Sequence, residues 1–193
     1  GTFSVACSAH IAATPRTCLD IVLKAADYPS WNRFCKKCDI NSQPRSRSSS
    51  PTKKRAASRG LGTKFTFDVH MNNPQEDTTT SSSSPTSGRA TALEITVLEP
   101  IDETTRHRRR VGYRVAWKTR PTYLLPSFLL RSERVQEFAQ VDAPFGAPGE
   151  SETVYACWET FYGVLAPVVR ATVGAQLENG FGVWTADLKG RAE

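Results

Sequence analysis

Phe3, Val5, Cys7, Ala9 and Ile11 alternate with Thr2, Ser4, Ala6, Ser8 and His10, the period-two pattern of a strand with one buried face. Thr14-Pro15 then offers an N-cap and a first-turn proline. Leu19, Val22, Leu23 and Ala26 mark one face of a helix that the pattern ends at Tyr28-Pro29. A second helical turn over 30–34 leads into a strand over 35–41. Alternation resumes at Phe65/Phe67/Val69, Leu93/Ile95/Val97 and Val111/Tyr113/Val115/Trp117, then over 128–141 and 153–162, which makes seven strands. The period changes at Gly163. Leu165, Val168, Val169, Val173, Leu177, Phe181, Trp184 and Leu188 are spaced by three and four, the stripe of a helix of about 24 residues and roughly 36 Å.

The connections within the strand run are of hairpin length, which predicts an antiparallel sheet. A sheet with one apolar face and a helix with one apolar stripe must bury those surfaces against each other. The expected fold is therefore α+β, a helix grip: a seven-stranded curved antiparallel sheet wrapped around a long C-terminal helix, with two short helices after strand 1. The length suits one domain over 1–193. Two segments, 42–60 and 72–87, break the alternation, and the second contains Thr78-Thr79-Thr80-Ser81-Ser82-Ser83-Ser84-Pro85. Neither can bury enough apolar surface to offset its ordering entropy, so both are expected to be flexible hairpin insertions.

Charge changes the picture in one place. The chain carries 25 Lys and Arg against 19 Asp and Glu, a net charge of +6. Arg45, Arg47, Lys53, Lys54, Arg55 and Arg59 lie in 42–60 without an acid, so removing these six leaves 19 basic against 19 acidic residues. A neutral body argues against a specific nucleic-acid partner and confines any weak anionic-surface contact to 44–59, where Ser50-Pro51 is a candidate phosphorylation point. Arg106-His107-Arg108-Arg109-Arg110 reads as a hairpin tip. No apolar run approaches the roughly 18 residues of a membrane span, and no charged leader precedes the first strand. Five cysteines without dense spacing, Cys7, Cys18, Cys35, Cys38 and Cys157, point to a reducing compartment: cytoplasmic, or mitochondrial where a leader has been removed. Cys35 and Cys38 have the spacing of a metal or redox pair but lack the second pair a zinc site needs, and read as ordinary thiols.

Tyr28-Pro29-Ser30-Trp31-Asn32-Arg33-Phe34, Leu61-Gly62-Thr63-Lys64-Phe65, Val97-Leu98-Glu99-Pro100, Glu159-Thr160-Phe161-Tyr162-Gly163 and Leu188-Lys189-Gly190-Arg191-Ala192-Glu193 follow one another along the chain. In these motifs and their order the chain resembles the START-like superfamily, also called SRPBCC, and within it the polyketide cyclase/dehydrase and coenzyme Q-binding group. The motifs are largely architectural. The resemblance implies a hydrophobic small molecule, a lipid, quinone or polyketide, held between sheet and helix by a carrier or presenter. The alternative it implies is a polyketide cyclase, dehydratase or hydrolase of secondary metabolism, which folds a reactive chain in the same cavity and polarises a carbonyl.

For such a cavity, of roughly 300–1,000 Å³, the candidate lining is Phe65, Phe67, Tyr113, Trp117, Phe128, Phe138 and Phe161 from the sheet. The helix contributes Val169, Val173, Gln176, Leu177 and Phe181. Trp31 and Phe34 are candidates to plug its end. Glu159, Tyr155 and Arg131 are the candidate catalytic residues. Glu159 lies between Trp158 and Phe161, where desolvation would raise its pKa and fit it for acid–base work; the competing reading pairs it with Arg131, Arg134 or Arg114. Gln136, Gln176 and Asn179 could hydrogen-bond a ligand carbonyl. His10, His70 and His107 form no dyad by position, no nucleophile, zinc-protease, Walker or dinucleotide motif is present, and no metal or cofactor is called for. Gly174, Gly180 and Gly182 within the long helix read equally as hinge points of a gate or as sites of close packing.

Overall fold

A computed structural model describes residues 1–44, 59–71, 88–104, 109–123, 125–141 and 152–193. Its elements are β1 (Thr2–Ile11), α1 (Pro15–Leu23), a 3-10 turn (Ala25–Asp27), α2 (Tyr28–Trp31), β2 (Cys35–Ser42) and β3 (Lys64–Val69). They continue with β4 (Arg89–Thr104), β5 (Arg109–Thr119), β6 (Arg131–Val141), β7 (Glu152–Tyr162) and α3 (Ala166–Ala192). Among the described residues the strands form one antiparallel sheet in the order β1-β7-β6-β5-β4-β3-β2. The first strand therefore closes on the last, Thr2 opposite Tyr162, while α1 and α2 carry the chain across to the far edge. This is the helix grip that the alternation predicts.

Local chemistry moves three boundaries. Thr14 caps α1 by accepting from Thr17 N at 3.1 Å, but the helix ends at Leu23, where Lys24 N–H turns back to Asp20 O and Ile21 O. Pro29 therefore does not stop α1; it sits in the first turn of α2, where its missing N–H costs no helical bond. On the sixth strand, Phe128, Leu129 and Leu130 look like strand residues by composition. Pro126 O instead accepts from Leu129 N and Leu130 N in a turn, and pairing begins at Arg131. Gly163 makes the change from β7 to α3 at φ +114°, and a β-carbon there would meet Leu129 O at 2.5 Å.

The stripe on α3 buries Leu177, Phe181, Trp184 and Leu188 against the sheet, whereas Val168 falls off it and is 54% exposed. Arg33 clamps the helix to the end of α2, its backbone N–H and guanidinium both reaching Asp187 at 2.8–2.9 Å. At Gly180 a β-carbon would lie 2.1 Å from the Phe34 ring, so close packing, not a hinge, is the reading that holds there. Gly182 faces open space. No described helix is long and apolar enough to cross a membrane.

One half of the space under the sheet is filled by aromatic rings. Trp184 packs within 6.3 Å of the rings of Tyr28, Trp31, Phe67 and Trp117, and Phe65 stands edge-on to Trp117 at 5.8 Å. Such pairs contribute about 0.5–1.5 kcal/mol each beyond the area they bury. Into this cluster runs Arg59, expected with the solvated insertion but in fact 1% exposed. Its guanidinium lies 4.5–5.3 Å from the rings of Tyr28, Phe65, Phe67 and Trp117 and donates to Val22 O and Tyr28 Oη, while its backbone N–H donates to Leu23 O at 3.0 Å. A charge in a basic, Ser-rich run is drawn inside because α1 ends there with unpaired carbonyls and aromatic faces around them. Arg45 to Arg55, with the anionic-surface expectation placed on them, lie outside the described residues, as do 72–87 and Arg106 to Arg108. On the outer face Glu137 is held between Arg110 and Arg114, and Arg114 also reaches Glu99 at 3.0 Å.

Candidate functional site

Antiparallel register brings Ile95, Trp117, Arg134 and Glu159 into one rung across β4, β5, β6 and β7. Inward alternation adds Ser132 and Gln136 on β6 and Cys157 and Phe161 on β7. Beneath this rung, toward the start of α3, the sheet and helix part to leave a cavity of about 150 Å³. Val169, Val173, Leu177 and Phe181, one helical turn apart, form its floor, and Phe67, Trp117 and Phe161 line it from the sheet. Phe34 closes one side, while Trp31 belongs to the aromatic cluster. The cavity is smaller than expected because that cluster and Arg59 occupy the other half of the grip.

The cavity wall is not uniformly apolar. Arg134, 4% exposed, stacks on Phe181 and Trp184 with its carbon Cζ 4.2 Å from each ring centre, and its Nε donates to Cys157 Sγ at 3.1 Å. Its Nη2 is buried without a hydrogen-bond partner. Glu159 stands opposite, bonded by Ser132, and burial raises its pKa above the ordinary carboxylate range; the Arg134 charge and the Ser132 hydroxyl only partly offset this. Thr91, Thr119, Arg89 and Arg120 add polar groups farther out. The arrangement offers an apolar chamber, a guanidinium with spare donor capacity and a carboxyl biased toward its protonated form. Among the described residues no group of three His, Cys, Asp or Glu comes together as metal ligands.

Several residues read from the sequence fall elsewhere. Tyr155 is fully buried with its hydroxyl committed, donating to Gln136 Oε1 at 2.7 Å and accepting from Trp184 Nε1 at 3.0 Å, so it braces the core beside the cavity. Arg131 points to the outer face, 5.0 Å over the Tyr162 ring, because it alternates with the inward Ser132. Phe128 is 68% exposed in the turn that shortens β6, and Gln176 lies beside the helical stripe, in solvent. Phe65 and Phe138 are core, Phe138 against Tyr155 at 5.3 Å and Phe65 under Arg59, and Tyr113 packs near α1 with Arg16 over its ring. Asn179 is exposed beside a separate shallow pocket. Arg134 entered the sequence reading only as one of three partners for Glu159. Its inward phase with Ser132, Gln136 and Phe138 is the signal that marks it.

No protein-family model matches the sequence. The chain is similar to the oxopyrrolidines biosynthesis cluster protein O of Penicillium oxalicum, with 29% identity over 163 residues, covering 83% of this chain and 72% of that protein. Among solved structures it is similar to the Zhui aromatase/cyclase from Streptomyces sp. R1128, with TM-score 0.56, 10% identity and coverage of 100% and 94% of the two chains. A START superfamily protein from Mycobacterium smegmatis matches with TM-score 0.53, 15% identity and coverage of 100% and 97%. A hypothetical protein of Helicobacter pylori matches with TM-score 0.58, 11% identity and coverage of 99% and 88%.

Proposed function

From the START-like fold that these likenesses show, we infer that the chain binds a small apolar molecule bearing one hydrogen-bond-accepting or acidic group in the cavity between sheet and α3, and carries or presents it. The observation that carries this reading is Arg134, a buried guanidinium with an unpartnered Nη2 in the wall of an otherwise largely apolar chamber. Removing apolar ligand surface from water contributes about 25 cal/mol per Å², and a hydrogen bond to a charged donor contributes about 1.5–3 kcal/mol. A chamber of about 150 Å³ holds one aromatic ring. A longer lipid, quinone or polyketide would extend past Met71, Arg89, Arg120 and Leu125. The test is a thermal-shift and native mass spectrometry panel of ring-sized aromatic acids and ketones beside hydrocarbons of the same shape. Acids and ketones should bind more tightly, and Arg134→Met should erase the preference. Absence of binding by every member of the panel would overturn the reading.

A second reading has specific support. Ser132, Arg134 and Glu159 converge on one stretch of cavity wall, which a simple carrier does not require. The relative from Penicillium oxalicum is named for a biosynthesis cluster and the Streptomyces neighbour is called an aromatase/cyclase. In this reading Arg134 polarises a ligand carbonyl while Glu159, whose pKa burial raises, delivers or takes a proton during cyclisation, dehydration or hydrolysis. Short β-polyketone thioesters are suitable probes. Glu159→Gln should abolish their conversion while leaving their binding intact; conversion at the uncatalysed rate by the unaltered protein would reject the enzyme.

A further inference from the structure

We propose that Cys7 and Cys157 form a peroxide-sensitive dithiol beside the site, a modification site that closes to a disulfide on oxidation and reopens on reduction. The pair is created by sheet register: Cys7 of β1 lies directly opposite Cys157 of β7, on the face that meets α3. Directly opposed residues of antiparallel strands have Cα atoms about 4.5–5.5 Å apart, inside the roughly 4.4–6.8 Å that a disulfide spans. The two thiols already hydrogen-bond one another. Arg134 Nε donates to Cys157 Sγ at 3.1 Å, and Thr185 Oγ1 stands 3.0 Å from Cys7 Sγ. Cys157 is 1% exposed, whereas Cys7 is partly exposed on an edge strand, so a small oxidant meets Cys7 first.

The surroundings also decide which sulfur is the nucleophile. The bond from Cys157, helped by Thr185 and the Arg134 charge, outweighs burial and brings the Cys7 pKa down to about 6. Cys157 is pushed up by burial and by donating to Cys7. Burial is the largest influence on the rest: it pushes Cys18 up to about 11 and Cys35 up to about 12, and raises Cys38 as well. The pair close in sequence, Cys35 and Cys38, thus ionises less readily than Cys7, and the proposed pair is 150 residues apart in the chain. The Cys7 thiolate attacks one oxygen of hydrogen peroxide, the O–O bond breaks, and hydroxide leaves to become water, giving a sulfenic acid. The Cys157 sulfur then attacks the Cys7 sulfur and loses its proton, and the S–O bond breaks to release a second water. Two thiols are oxidised to one disulfide as one peroxide is reduced to two waters.

The test needs no ligand. Reduced protein is treated with a small molar excess of hydrogen peroxide and measured by intact mass and peptide mapping. The expected result is loss of two hydrogen atoms, a Cys7–Cys157 cross-linked peptide, and full recovery with dithiothreitol. Before oxidation, iodoacetamide at neutral pH should label Cys7 at least about tenfold faster than Cys18, and Arg134→Met should move the Cys7 labelling profile to higher pH. Cys157→Ser should halt the reaction at a Cys7 sulfenic acid captured by dimedone. Oxidation of Cys7 without the cross-link in the unaltered chain, or labelling no faster than Cys18, would overturn the proposal. Both of those readouts use the unaltered chain, so a folding defect in the variant does not shelter it.

Discussion

Arg59 and Arg134 are both buried guanidiniums laid against aromatic rings, yet they sit in opposite halves of the grip and do different work. Arg59 is enclosed by Tyr28, Phe65, Phe67 and Trp117 and shares with the Tyr28 hydroxyl the Val22 carbonyl at the end of α1. Arg134 has rings on one side and the cavity on the other, with the carboxyl of Glu159 across the rung. Burial of a charge is common to both. What separates a structural arginine from a site arginine is whether space for another molecule lies beside it.

The largest expected effect belongs to Arg59. Arg59→Ala leaves a void among the rings and removes one donor from the Val22 carbonyl, which keeps its bond from Tyr28 Oη, and should cost about 3 kcal/mol in urea unfolding. A loss smaller than about 1 kcal/mol would break the contrast, since Arg59 would then be dispensable. Arg134→Met keeps the unbranched apolar stem while removing a buried charge with an unpartnered Nη2, and should change stability by less than about 1.5 kcal/mol. The same change should weaken binding of an aromatic carboxylate by about tenfold or more, as titration calorimetry would read. Gly180→Ala forces the Phe34 ring toward the cavity and should destabilise by about 1–2 kcal/mol. Gly182→Ala, on the open side of the same helix, should stabilise by up to about 1 kcal/mol, which thermal melts of the two variants would separate.

The smallest effect is a slope. Because the folded state holds the Glu159 proton more tightly than the unfolded chain does, stability falls as pH rises from the ordinary value near 4.5 through the raised folded value. Glu159→Gln removes that fall. Its stability relative to the unaltered protein should be least at acid pH and rise toward neutrality, as urea midpoints across pH would show.

Much of the architecture was legible because both periodicities survive in the sequence: β1 and β5 alternate, and Leu177, Phe181, Trp184 and Leu188 keep helical spacing. Boundaries failed where turn chemistry overrode the apolar pattern, as at Pro126 before β6 and at Pro29 in the first turn of α2. The cavity floor of Val169, Val173, Leu177 and Phe181 was readable from the helix alone. The wall was not, because Arg134 and Glu159 are brought together by register between strands, as is the Cys7–Cys157 pair beside it, and alternation along one strand does not encode register. Arg59 was hidden for another reason: its neighbours in sequence are basic and polar, and its partners are aromatic rings contributed by α2, β3 and β5.

The closure of β1 onto β7 sets a timetable for the chain's synthesis. β1 is made about 150 residues before its partner, so at roughly 5–20 residues per second it waits on the order of 10–30 s with an apolar face and an open edge. α1 and β2 to β6 can organise first, and the sheet is completed only when β7 arrives between β6 and β1. Of the seven described strands, β1 is therefore the one most in need of protection from other nascent chains, and β7 is the element whose loss would leave two sheet edges unpaired at once.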